Sequence, residues 1–196
     1  MTRSVCSVLC AFALACGSSE APPATPTAAT ATATSATPTE AAPIAEGQPA
    51  PAFSVTASDG TKIDSAALAG KPIVLYFYPK DETPGCTTEA CAFRDAWTAL
   101  EKSGVVLVGI SVDSDESHRA FAAHHKLPFH LVSDPKLELA KRFGVASKTI
   151  DNLGTILMRQ TIVIGADGRI KKIYRTVEPT KHAAEIEADL GVATSA

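Results

Sequence analysis

The sequence lacks the features that announce the commonest ligands. No block of Lys and Arg exceeds two or three residues and the net charge is −3, so there is no electrostatic footprint for nucleic acid. No Walker sequence, dinucleotide fingerprint or zinc-protease helix motif occurs. Asp113 and Asp115 lack the spaced acids and the glycine of a calcium loop. The apolar run Val5–Ala15 falls short of the about 20 residues a spanning helix needs. No internal repeat is visible, and the C-x-x-C spacing of a disulfide exchanger is missing.

What is present divides the 196 residues unevenly. The stretch "MTRSVCSVLCAFALAC" has one basic residue, then the short apolar run, then small residues before Cys16. It reads as a signal peptide over residues 1–15. The "ALAC-GSS" junction resembles the lipobox of bacterial lipoproteins, with Ala13 where Leu is usual. On that resemblance Cys16 is the lipidation candidate and the chain is anchored in the cell envelope, facing the periplasm. The alternatives are plain secretion or a retained short anchor. Residues 16–43 are dominated by Ala, Thr and Pro. With nothing to bury they cannot offset the entropy of ordering, which predicts a disordered tether.

The remainder, 44–196, is predicted to be one α/β domain. "PAFSVTASDGTKID" reads as two short strands around an Asp59-Gly60 turn. "PIVLYFYP" and "VVLVGISVD" are almost continuously apolar, as strands buried on both faces are. After the first comes a helix with Ala90, Phe93, Trp97 and Leu100 on one face and Gly104 at its end. Further along lie a helix over "SDESHRAFAAHHK", a strand at "FHLVSD", a helix at "PKLELAKRFG", a hairpin around Asp167-Gly168, and a last helix at "PTKHAAEIEADLG". Helices alternating with strands and closed by a late hairpin predict a thioredoxin-like fold, with a mixed central sheet flanked by helices.

Two cysteines fall in this domain, Cys86 and Cys91, with four residues between them. Thr83 is a favoured N-cap and Pro84 a favoured first helical residue, which puts Cys86 third in the helix. There its sulfur meets open N–H groups and the positive end of the dipole, which favour the nucleophilic thiolate. On one intact helix, five residues separate Cα atoms by roughly 8–9 Å. A disulfide needs about 7 Å or less. The pair can therefore close only if the start of the helix unwinds, which suits a bond that opens and closes rather than a static one.

"PKDETPGC" places Pro79, Thr83 and Cys86 in the P-x-x-x-T-x-x-C pattern of peroxiredoxins. "TPGCTTEACAFRD" resembles the bacterioferritin-comigratory, or Q-type, members in particular. The likeness runs from about Gly47 to Leu190 and takes in "LPFHLVSDP" and "MRQTIVIGADG". A minor departure is Ile162, where the family often has Phe. The resemblance implies a thiol peroxidase acting on hydrogen peroxide and organic hydroperoxides. Cys86 is then the peroxidatic cysteine and Cys91 the resolving one, joined in a Cys86–Cys91 disulfide that a thioredoxin or a periplasmic thioredoxin-like protein reduces. Thr83 would offer its hydroxyl to the peroxide, Pro79 would shield the site, and Arg159 would be the strand arginine that faces the thiolate. It implies no bound cofactor and no metal, and a monomer or weak dimer. Glu89 is placed either to orient Arg159 or on a solvated helix face.

Other residues carry less. His124 and His125, adjacent on a helix, are expected to diverge rather than chelate. His118, His130 and His182 read as isolated, with His182 a helix cap, and Asp113 and Asp115 lie where a strand meets a helix, a place where Asp or Ser usually caps. Phe93 and Trp97 read as core. Two other functions use the same fold. A copper chaperone would show C-x-x-x-C and a distant His, and a disulfide exchanger would show C-x-x-C; the four-residue gap between Cys86 and Cys91 fits neither.

Overall fold

All five residues of the run Ile73–Phe77 are buried, and their side chains alternate between two cores. Val74 and Tyr76 point to one, Ile73, Leu75 and Phe77 to the other. This is the period of two expected for a central strand. A computed structural model describes residues 44–192. The leader, Cys16 and the tether lie outside the described residues, as does the stretch 193–196.

The elements in chain order are β1 (Ser54–Thr56), β2 (Lys62–Asp64), β3 (Ile73–Phe77), α1 (Pro84–Lys102), β4 (Val106–Ser111), α2 (Asp115–His125), β5 (His130–Ser133), α3 (Glu138–Arg142), β6 (Ser147–Ile150), β7 (Gly154–Leu157), β8 (Gln160–Ile164), β9 (Ile170–Tyr174) and α4 (His182–Leu190). The central sheet runs β5-β4-β3-β8-β9. β3, β4 and β5 are parallel, and β8 and β9 join antiparallel. It is the mixed, helix-flanked sheet of the thioredoxin-like fold. Cys86, Ala90, Phe93, Leu100, Phe121 and Ile186 bring α1, α2 and α4 onto one face. Val55, Leu139, Ala140 and Leu157 bring β1, α3 and β7 onto the other, with Phe53 and Phe143 beside them.

Gly109 in β4 marks a close approach. A Cβ there would lie 2.6 Å from the Tyr76 ring, so only glycine lets that ring cross the strand. Tyr76 in turn stacks on Tyr78 and meets Phe93, which seats α1 against β3.

Some details differ from the sequence expectations. β6 and β7 form a hairpin that carries little apolar alternation, because most of its residues are exposed. Its turn is set by Asn152 and Gly154, both at positive φ. Trp97 is only half-buried, packed on the edge of the first core beside Phe129. "SAALAG" forms hydrogen-bonded turns rather than a helix. No helix among the described residues is long and apolar enough to cross a membrane.

Candidate active site

α1 starts at Pro84 with Thr83 at the N-cap, so Cys86 is its third residue, as the local sequence dictates. The cap, however, is not made by the side chain. Thr83 Oγ1 donates instead to the carbonyl of Lys80 at 2.9 Å. The N–H groups of the first turn are thus left without a capping oxygen, at the positive end of the helix dipole. Cys86 is 2% exposed and sits in that turn. Pro79 lies half-buried in the loop that leads to it from β3.

The guanidinium of Arg159, from the link between β7 and β8, completes the site. Its Nη2 lies 3.1 Å from Cys86 Sγ, and its Nη1 donates to Glu89 Oε2. Gly85 permits the approach: a Cβ there would stand 3.3 Å from Arg159 Nη2. Arg159 is not a strand residue, as the sequence reading expected. It sits in the two-residue link between β7 and β8, and its side chain reaches α1.

Glu89, one helical turn after Cys86, is fully buried. Of the two placements open in the sequence, the structure gives the ion pair with Arg159. Burial pushes the Glu89 carboxyl up to about 7, against the pull of Arg159. Burial also works against the Arg159 cation, but Glu89 and Cys86 more than offset it, and its pKa lies above the ordinary value.

Cys91 lies in the same unbroken helix, half-buried, and both thiols are free. The described form is therefore the reduced one.

The loop between β3 and α1 is fixed by Asp81, which no motif singles out, and by Asp113 and His118, which take roles other than those expected. Asp81 is buried and accepts from Tyr78 Oη at 2.7 Å and Ser117 Oγ at 2.7 Å, and it pairs with His118 Nδ1 at 2.9 Å. Burial opposes its ionisation, but the bonds from His118, Tyr78 and Ser117 outweigh that and hold its carboxyl below the ordinary value. Asp113 is no cap; Ser114 caps α2. Buried Asp113 accepts from Lys80 Nζ at 2.9 Å, the Asp81 N–H at 2.8 Å and Ser111 Oγ at 2.8 Å.

The histidines also depart from the sequence expectation. His118 is part of this network, and His130 pairs with Asp59. His182 is buried at the start of α4, where Lys181 is the cap, and its Nε2 meets Thr161 Oγ1 at 2.8 Å. His124 and His125 do converge: each bonds one oxygen of Glu82. No local spacing announces these pairs, whose partners lie 21 to 71 positions apart.

Residues 46–173 match the AhpC/TSA family. A chloroplastic peroxiredoxin Q of Sedum lineare is 43% identical over 143 residues, covering 72% of this chain and 75% of its own. The bacterioferritin comigratory protein of Xanthomonas campestris, described for its alkyl peroxide reduction activity, superposes with a TM-score of 0.64 at 33% identity, over 71% of this chain and 90% of its own. PrxQ of Xylella fastidiosa gives a TM-score of 0.69 at 31% identity, over 76% and 97%. With Cys86 in the first turn of α1, Arg159 against its sulfur, and these relatives matching most of the folded part, the chain belongs to the AhpC/TSA family as a peroxiredoxin of the Q, or bacterioferritin-comigratory, type, a thiol peroxidase.

Proposed function

We propose that Cys86 is the peroxidatic cysteine and Cys91 its resolving partner. The observation that carries this is the 3.1 Å contact between Arg159 Nη2 and a sulfur held in the first turn of α1. Cation and helix end both stabilise negative charge on that sulfur. In the first step the Cys86 thiolate attacks the terminal oxygen of a hydroperoxide. An S–O bond forms, the O–O bond breaks, and the departing alkoxide or hydroxide takes a proton, leaving sulfenic acid. Negative charge moves from sulfur to the leaving oxygen, and the Arg159 guanidinium is placed to follow it.

Thr83 enters as an acceptor. Its proton is committed to the Lys80 carbonyl, so its oxygen lone pairs remain for the O–H of the incoming peroxide. Pro79, half-buried in the same loop, restricts water on that side. Glu89 holds the guanidinium in place.

In the second step the Cys91 thiolate attacks the sulfenic sulfur, an S–S bond forms, and hydroxide leaves to become water. Both cysteines lie in one helix, so a single chain supplies them and a monomer or weak dimer suffices. A dithiol protein of the thioredoxin class then reduces the disulfide. Hydrogen peroxide and organic hydroperoxides are the proposed substrates, in keeping with the alkyl peroxide activity of the Xanthomonas relative. Placement in the cell envelope through a lipid on Cys16 is part of the same reading. Mass spectrometry of the native N-terminus checks it, and an unmodified Met1 would end it.

The decisive experiment pairs Cys86→Ser with Cys91→Ser. The first should abolish peroxide reduction. The second should complete one turnover and then fail to be recycled by thioredoxin. Equal activity in wild type and Cys86→Ser would overturn the assignment.

A further inference from the structure

Glu82, His124 and His125 form a cluster beside the candidate active site that peroxide chemistry leaves unused. His124 Nδ1 lies 3.0 Å from Glu82 Oε1, and His125 Nε2 lies 3.0 Å from Glu82 Oε2. The ligand atoms of the three residues all fall within 4.8 Å of one another. Around a tetrahedral zinc ion, with N and O ligands about 2.1 Å from the metal, neighbouring ligand atoms stand about 3.4 Å apart. The two 3.0 Å contacts, to different Glu82 oxygens, are a little tighter than this and the full spread a little wider, so rotation of exposed His124 and Glu82 brings one atom of each residue onto a common cation.

Adjacent helix residues normally diverge, and here the end of the helix removes that obstacle. Lys126 turns into the left-handed region at φ 54° and stops α2 directly after His125. The two imidazoles lie with centroids 4.3 Å apart and reach past the helix end to Glu82. His125 is held firmly: its ring stands edge-on to Phe121 at 5.0 Å, and its carbonyl accepts from Arg94 Nη1 at 3.0 Å. Its side chain is 16% exposed, against 69% for His124 and 49% for Glu82, so the cluster has an anchored floor and an open side. Glu82 itself has φ 59°, an unusual conformation for a side-chain-bearing residue. That conformation is held between Asp81, tied to α2 and Tyr78, and Thr83, the cap of α1.

We propose that Glu82, His124 and His125 bind a borderline divalent cation of the zinc class, with solvent completing its coordination. One carboxylate oxygen and two neutral imidazole nitrogens suit such an ion, whereas magnesium and calcium prefer all-oxygen sites. On binding, the N–H proton that each ring now presents to Glu82 moves to its other nitrogen, which faces away from the carboxylate. No redox step is involved.

The test is isothermal titration of the full chain with Zn2+, its five cysteines replaced by serine so that no thiolate competes. One saturable site with micromolar or tighter affinity is expected, and Mg2+ should give none. Added to this background, His124→Ala and Glu82→Gln should each weaken zinc by at least about tenfold, as loss of a direct ligand must exceed the loss of a supporting contact. His130→Ala, which removes the separate pair with Asp59, should change nothing. Far-ultraviolet circular dichroism confirms that each variant is folded; His124 is exposed at a helix end and Glu82 in a loop, so both changes are tolerable to the core. Absence of a saturable site up to millimolar zinc, or affinity unchanged in both ligand variants, overturns the proposal. So does an equal loss in His130→Ala.

Discussion

Replacing Thr88 with Ala or with Gly tests whether the first turn of α1 must open before Cys91 can reach Cys86. Both cysteines lie in one unbroken helix, the third and eighth residues of Pro84–Lys102. In that geometry their Cα atoms are roughly 8–9 Å apart and the side chains point to different faces. Disulfide geometry allows about 7 Å. On the proposed function, a Cys86–Cys91 bond then forms from an opened state, and its rate scales with how often that state is populated. Thr88 lies between the cysteines, is exposed, and spends its hydroxyl on the Pro84 carbonyl at 2.9 Å. It makes no hydrogen bond to the sulfur or to Arg159, so the change acts through helix stability. Ala and Gly differ by about 1 kcal/mol in a helix interior, which is about a fivefold change in the opening equilibrium. Thr88→Gly should form the disulfide about five times faster than Thr88→Ala, with wild type between them. Stopped-flow fluorescence of Trp97, the single tryptophan, follows the movement, and rapid alkylation with mass spectrometry counts the bonds. The rate of the first reaction with peroxide should be the same in all three proteins. Equal disulfide rates in the Ala and Gly variants, or a slower Gly variant, would refute helix opening as the gate.

Arg159→Gln removes the cation beside Cys86 Sγ, and loss of such a charge-stabilising donor costs roughly 10²–10³ in rate; a competition assay with hydrogen peroxide that shows less than about a threefold loss contradicts the role given to it. Glu89→Gln should change how stability depends on pH. The unfolded Glu89 ionises near 4.5, but the folded residue keeps its proton to about 7. Between those values the folded chain binds more protons, so this residue makes stability fall as pH rises through the window and then level off. The whole drop is on the order of 3 kcal/mol at most. Denaturant unfolding of the Gln variant should lack that part of the slope, and an unchanged slope would show that Arg159 keeps the buried carboxyl ionised throughout. Zinc bound at Glu82 would tie the loop before α1 to the end of α2. Saturating zinc should then slow disulfide formation in wild type and not in His124→Ala; equal slowing in both would place the metal on the thiols instead.

Much of the frame was legible because it depends on neighbours in sequence. The alternation in Ile73–Phe77 assigns two faces to β3, and Thr83-Pro84 fixes where α1 begins and hence the turn that carries Cys86. The spacing of Ala90, Phe93 and Leu100 tells which side of α1 is buried. The β6–β7 hairpin escaped because exposed strands leave no hydrophobic period to read. What the sequence alone determined was the local dihedral preference and the periodic burial, and with them the position of the sulfur at a helix start. Only the tertiary structure decided which groups face that sulfur. Arg159 reaches it across 73 positions because β8 pairs with β3 and leaves the β7–β8 junction over α1. Asp81 meets His118, and Glu82 meets His124 and His125, because α2 packs on the same face of the sheet as α1. Charge and hydrogen bonding act through space over a few ångströms, and strand order, not chain distance, sets which residues come that close.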